Sequence, residues 1–386
     1  MSDATPQDGL IADSVARLFA DHVDNAARDR AEAGSFDAVL WQRVSDGGFA
    51  MMLATEAAGG LGQDWAAAYP VLRGLGAWQV PLPLAETMVA AQLLSQAGLP
   101  VPDGPLTLIE QGRGNTLQAR EDGAARVLSG VAHGVPWARH AHGAVVSLGA
   151  AGRVGSGRLA LLDLRAGSAV TLQPHANAAG LPSDTLVLHE ARCTAVAPNP
   201  LPLAEPVWTL GAVARCAMMV GALEWTLEQS VRYAGERVQF GRPIGKNQAI
   251  QQNLALMAGD VAAARMAARV AAADVPGVGV PGVGAAAADA AAVDAAGRTA
   301  LFSAAVAKVR CGEAATRGTG IAHQVHGAIG FTHEHALHYA TRRLWAWREE
   351  FGTDAFWAGR LGRAAIGARA AGFWPSITDG RFAALR

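Results

Sequence analysis

The chain has 386 residues, 51% of them hydrophobic and 17% charged, with a formal net charge of -1. That is enough apolar material to bury a large core in two or three domains, and the charge balance excludes a general electrostatic attraction to nucleic acid or anionic membrane. The three cysteines (Cys193, Cys216 and Cys311) lie far apart, show neither metal-ligand spacing nor a disulfide framework, and read as small buried apolar residues in a reducing compartment.

The first residues, M-S-D-A-T-P-Q-D, lack the apolar core of a signal peptide. No run of about 18 apolar residues free of charge reads as a membrane span, so a cytoplasmic location is expected. Residues 8–100 read as helices, with Val15, Leu18, Phe19 and Val23 at helical spacing. Gly47 and Gly48 close a helix that contains Trp41. The loop Glu56–Gly62 is rich in glycine, but no strand precedes it and no Lys-Ser/Thr comes after it, so it is no phosphate cradle. Pro81-Leu-Pro83-Leu84-Ala85-Glu86-Thr87 opens a further helix with Val89, Leu93 and Leu94 on one face.

The period changes between about 104 and 200. Short β-like runs at Leu106–Leu108, Ala144–Leu148, Leu159–Leu164 and Thr185–Leu188 are punctuated by Gly, Pro, Asn and Asp, the pattern of a small antiparallel barrel or sandwich. From about 205 the helical period returns. Val213, Cys216, Val220, Leu223, Leu227 and Val231 make one long face, and Ile250, Leu254, Met257 and Val261 make the next. Pro276–Gly284 is a low-complexity connection. Helices are expected over Ala285–His323, Glu334–Glu350 and Thr353–Ala370, completing a four-helix-like bundle.

Between the first two helices of that bundle lies R-Y-A-G-E-R-V-Q-F-G-R-P-I-G-K-N-Q, from Arg232 to Gln248. Pro243 cannot continue a helix and drives Arg242 out of the α region. Gly241 and Gly245 permit the reversal, and Asn247 is a good N-cap for the second helix. This places Arg237 and Phe240 in the last turn of the first helix, where a guanidinium can meet a phosphate and a ring can pack on a base. An ordinary helical hairpin with a surface arginine is the alternative reading of the spacing.

These residues carry a resemblance. R-x-Q-F-G-x-P-I from Arg237 to Ile244, with Gln248 after it, resembles the signature of the acyl-CoA dehydrogenase family. Gln324-Val-His-Gly327-Ala328-Ile-Gly330-Phe-Thr332 resembles that family's Q-x-h-G-G-x-G-[FY]-[ST] segment, and P-L-A-E-T resembles a segment of the branch acting on bulky acyl groups. The resemblance covers nearly the whole chain. It implies an α+β multidomain fold: an N-terminal helical domain (1–104), a central small antiparallel β domain (105–203) and a C-terminal four-helix-like bundle (204–386). It further implies an FAD-dependent flavoprotein oxidoreductase that desaturates an acyl-CoA thioester, in a dimer or tetramer with a shared FAD site and an electron-transfer partner. By match of position, the ADP half of FAD falls to Arg237, Phe240, Gln324, Gly327 and Ala328, where the family usually has a second glycine, and Thr353 is a further contact.

The expected base is missing. In many members a glutamate immediately precedes the Gly-Thr pair, and here that residue is Phe351, before Gly352 and Thr353. In another branch it lies 26 residues before the signature arginine, which is Gly211 here. Glu350, one residue before the expected place, is the candidate catalytic carboxylate. A one-residue shift turns a helical side chain by roughly 100°, and a solvated helix end at Glu349 and Glu350 is the other reading. The ring-binding loop T-E-P-x-A-G-S-D of the family is replaced by Leu108-Ile-Glu-Gln-Gly-Arg-Gly-Asn115, and Trp137 lies three places later than the family tryptophan. Trp137, Trp345, Trp347 and Trp357 read as core residues rather than pocket walls, and His323, His326, His333, His335 and His338 as bundle residues rather than metal ligands. Two functions are compatible with these features: a dehydrogenase active in an oligomer, or a catalytically silent subunit that binds cofactor and partner.

Overall fold

The computed structural model describes residues 6–122, 125–149, 157–165, 169–239, 241–276 and 290–380. The low-complexity connection expected at 276–284 lies almost entirely outside them, as does Phe240.

The N-terminal region is helical: α1 (Pro6–His22), α2 (Asn25–Glu32), α3 (Ala38–Asp46), α4 (Trp65–Ala77) and α5 (Leu84–Gln96). Aspartates set three of the starts, with Asp24, Asp37 and Asp64 each accepting a first-turn amide as N-cap. Strands come next, in two four-stranded sheets. β1 (Leu106–Glu110), β4 (Gly143–Leu148), β5 (Arg158–Asp163) and β8 (Ala195–Pro198) form one, in that spatial order. The other runs β2 (Gln118–Asp122), β3 (Ala125–Pro136), β7 (Ser183–Arg192), β6 (Val170–Gln173). All pairs are antiparallel except β1 with β4. A separate core between the sheets holds Ile109, Leu128, Val146, Leu162, Leu186 and Leu188.

The C-terminal region is helical again: α6 (Pro206–Glu236), α7 (Gln248–Ala273), α8 (Ala290–His326), α9 (Leu337–Glu349) and α10 (Asp354–Thr378), the last kinked at Arg369. The expected periods match these helices, with ends moved by a few residues. α8 continues past His323 to His326, so Gln324 is helical. α6 is the axis of the molecule. α4 crosses it closely: a Cβ on Gly76 would stand 1.7 Å from the Met218 carbonyl oxygen, and one on Gly221 1.9 Å from that of Arg73. Only glycine permits either approach. On the other side, small residues of α7 and α8 (Ala264, Ala268, Ala304, Ala307, Cys311 and Ala315) fill the joint core. By length and composition α6 could cross a membrane, yet 94% of its most apolar window is buried within the fold, the situation of a core helix. All three cysteines are buried and free.

The corner after α6 differs from the sequence expectation. Arg237 is not in the last helical turn; it is the extended C-cap residue, with ψ 114°. β9 (Val238–Gln239) pairs with β10 (Arg242–Pro243), and the Ile244 amide donates to the Arg237 carbonyl at 2.9 Å. That bond closes a miniature hairpin and takes the backbone away from the helix. Asn247 caps α7 as expected, accepting from the Ala249 amide at 3.0 Å.

Candidate functional site

Gly211 lies in the first turns of α6, and Phe351 comes just after the end of α9. The chain brings these two positions together. A Cβ on Gly211 would stand 2.5 Å from Cδ1 of Phe351, so the Phe351 ring occupies the space that a side chain at 211 would need. Phe351 itself has φ 53°, the left-handed region that an aromatic residue seldom adopts. Its carbonyl accepts from Trp357 Nε1 at 3.0 Å, and its ring meets Trp208 edge-on at 6.0 Å.

Glu350 points elsewhere. Its carboxylate accepts from Arg215 Nε at 2.6 Å and from Asn177 Nδ2 at 2.9 Å. Arg215, on α6, also donates to Glu86 of α5. The exposures are 3% for Arg215, 2% for Glu86 and 13% for Glu350, so this is an internal ion triad. Burial by itself opposes the charge on Arg215, but the two carboxylates outweigh it and hold the guanidinium pKa above its ordinary value. Beneath the triad, Lys308 of α8 donates to the carbonyls of Trp347 (2.8 Å), Arg348 (3.1 Å) and Glu350 (2.7 Å), capping the C-terminus of α9. Burial lowers the Lys308 pKa to about 8. The reading of Glu349 and Glu350 as a solvated helix end therefore holds for Glu349, which is exposed beside Arg348, and fails for Glu350. The signal is in the sequence: Arg215 is the lone charge in the 206–223 stretch of α6, and Glu86 is the lone charge of α5.

A cavity of about 70 Å³ opens beside Phe351, lined among others by Glu110, Arg113, Asn115, His133, Trp208 and Glu350. Ligand pockets typically enclose about 300–1,000 Å³. A second space of about 10 Å³ borders Glu86, Trp137, Arg215, Trp347 and Glu350, roughly the volume one water needs. Glu110 is a buried carboxyl that the sequence did not single out. Desolvation raises its pKa to about 8, against the hydrogen bonds from Ser147 and the Trp208 amide (2.9 Å). Trp137, Trp347 and Trp357 are buried, as expected for core residues, whereas Trp345 is 40% exposed under Arg348.

The residues expected at the ADP end lie on the surface. Arg237, Gln324, Gly327 and Ala328 are all exposed. Gln324 Oε1 accepts from Asn253 Nδ2 at 3.4 Å, and Gly327 has φ 62° at the start of a 3-10 turn, Gly327–Phe331. Beside them Tyr233 stacks on His326 at 4.6 Å, and His326 meets His335 at 4.7 Å. Thr353 is committed locally: its hydroxyl caps α10, accepting from the Phe356 amide at 3.0 Å. Among the described residues, no group of three or more His, Cys, Asp or Glu could hold a metal ion. Their exposure leaves Arg237, Gln324, Gly327 and Ala328 accessible to the ADP end of an FAD. The residues beside Phe351 do not fit its ring end, because the cavity there is too small for a tricyclic ring.

The N-terminal region, residues 5–100, matches the model of the acyl-CoA dehydrogenase N-terminal domain, and residues 205–366 match that of the C-terminal domain. The chain belongs to the acyl-CoA dehydrogenase family of flavoprotein oxidoreductases. It is 28% identical over 338 residues to the acyl-CoA dehydrogenase IpdE2 of Mycobacterium tuberculosis, covering 86% of this chain and 89% of that one. The ChsE4-ChsE5 complex of the same organism superposes with a TM-score of 0.79 at 23% identity, covering 96% of this chain and all of the other. A Tcur3481-Tcur3483 steroid ACAD variant superposes with a TM-score of 0.78 at 25% identity, covering 94% and 99%.

Proposed function

We propose that this chain serves the α,β-dehydrogenation of an acyl-CoA thioester as one subunit of a hetero-oligomer, and that it grips the ADP half of an FAD whose ring and base belong to a partner polypeptide. One observation carries the reading: the Phe351 ring is packed against Gly211, so both family base positions are closed by the same side chain. Glu350 does not replace the base. Taking up a proton there would forfeit its charge-assisted bond to Arg215, which would then remain paired only with Glu86.

The chain's own contributions are surface ones. Arg237 supplies a permanent positive charge for a pyrophosphate. Gln324 and the Gly327-Ala328 backbone supply donors and acceptors at the adenine end, and Phe240 belongs to the same motif. Bound FAD supplies the acceptor for the hydride that leaves the β carbon. An electron-transfer protein then reoxidises the assembly, and the site of action is the cytoplasm. The likeness to the steroid ACAD variant supports a bulky acyl group as the substrate class.

The test is to purify the chain alone and together with a sibling dehydrogenase that carries a glutamate at a base position. We expect no flavin bleaching by acyl-CoA for the chain alone, and flavin retention plus bleaching for the pair. Arg237→Ala should cut flavin retention in the pair. Bleachable flavin on the chain alone would overturn the proposal.

A further inference from the structure

A cavity of about 210 Å³ lies where α1, α4 and α7 meet, and it shares no lining residue with the cleft beside Phe351 or with the Arg237 face. Much of its wall is small and apolar, with Gly9 and Ala12 from α1 and Ala66 and Pro70 from α4. One side is basic, formed by Arg73, Arg265 and Arg269. Glu224 of α6 serves two of these arginines: Arg73 Nε stands 2.5 Å from its carboxylate and Arg265 Nε 3.6 Å. Arg269 follows Arg265 by four residues, on the same face of α7, and has no acidic partner among the described residues. Like charges at that spacing repel, and a bound anion would relieve them.

Tyr69 supplies an observation independent of charge. It lines the same cavity, is 7% exposed, and its hydroxyl is buried with no hydrogen-bond partner among the described residues. Burial, helped by the nearby Glu224, pushes the phenol pKa up, so the group keeps its proton and remains a donor. A buried donor left unsatisfied is costly, and an acceptor brought in by a ligand removes that cost. We propose that this cavity is a binding site for a small apolar monocarboxylate, with its tail against the α1 and α4 wall and its carboxylate served by Arg269 and the Tyr69 hydroxyl. A cavity of about 150 Å³ admits benzene, so this one takes one ring or a chain of roughly six carbons. An inorganic anion would leave the apolar wall wet, and a neutral hydrocarbon would leave the arginine and the hydroxyl unserved. The site stands apart from the FAD reading and does not depend on it.

Hexanoate is the probe, titrated calorimetrically into the full chain. Acetate supplies the head without the tail, and 1-hexanol the tail without the charge. We expect hexanoate to bind at least tenfold more tightly than either. Tyr69→Phe and Arg269→Gln should each weaken hexanoate binding about tenfold, as for loss of one charge-assisted hydrogen bond. Arg120→Ala, which breaks an exposed pair with Glu190 on the β domain, should leave it unchanged. Tyr69→Phe should also keep a urea midpoint no lower than wild type, because the hydroxyl it removes has no partner, so its loss of binding is not a loss of fold. No hexanoate binding by the wild-type chain, acetate binding as tight as hexanoate, or hexanoate binding that survives either substitution would overturn the site.

Discussion

The Phe351 ring fills the space that a side chain on Gly211 would need, so position 211 cannot enlarge while the ring is in place. A Cβ on Gly211 would lie 2.5 Å from Cδ1 of Phe351 and 2.6 Å from Cε1 and Cγ. Gly211→Ala should therefore destabilise the chain by about 1–3 kcal/mol, the usual cost of overpacking. Phe351→Ala removes the obstruction while losing the ring's own burial. In a double-mutant cycle followed by urea unfolding, the second substitution should cost less in the Gly211→Ala background than in wild type. Additive effects would mean that the two residues do not compete for the same volume.

The Arg215 triad predicts a larger effect. Arg215→Met leaves Glu86 and Glu350 facing one another without a cation, and loss of one partner of a buried pair costs about 3–5 kcal/mol. Glu350→Gln should cost less, because Glu350 is 13% exposed and a glutamine can still accept from Asn177. In the assembled oligomer Glu350→Gln should leave turnover with acyl-CoA unchanged. A large loss of turnover at wild-type stability would make Glu350 the base after all. Thermal unfolding and turnover are both required, because only their combination separates a positioning effect from chemistry.

How far the sequence could be read depends on how locally each feature is encoded. The buried strands β1, β4, β5 and β7 carry continuous apolar runs and were legible. β2, Q-A-R-E-D, is polar and largely solvated, and β3 is interrupted by register shifts between Leu128 and Gly130 and between Ala132 and Val135, so alternation fails in both. The corner from Arg237 to Asn247 was legible as a motif and as a reversal. Its hairpin was not, because the Ile244-to-Arg237 bond that ends α6 depends on a return of the chain that no periodicity records. The closed base site was half legible. Along the chain, Phe351 and Gly211 stand as two separate departures from a pattern, and only the fold makes them one contact. Neither reading of Glu350, as base or as solvated helix end, foresees its ion pair, because the partner, Arg215, is 135 residues away in sequence.

Glu110 gives the clearest pH dependence. Its folded pKa of about 8 lies above the ordinary 4.5, chiefly because burial penalises the carboxylate. The folded state thus holds a proton that the unfolded state releases between about pH 4.5 and 8. The stability this contributes is complete below pH 4.5 and declines as pH rises through that window, by at most about 1.4 kcal/mol per pH unit. Glu110→Gln keeps a neutral side chain of the same shape, can still accept from the Trp208 amide, and cannot ionise. Urea unfolding at a series of pH values should show the wild-type decline flattened in the variant across that window. Lys308 works in the opposite sense higher up: its pKa falls from 10.5 to about 8, so the unfolded state binds the extra proton and stability rises from pH 8 towards 10.5. The two windows meet near pH 8, so the wild-type profile should pass through a minimum there, and the Glu110→Gln profile should lose its acid-side arm. A wild-type profile that is flat from pH 5 to 8 would mean that Glu110 reaches water or a cation in solution, and that the cleft beside Phe351 is open.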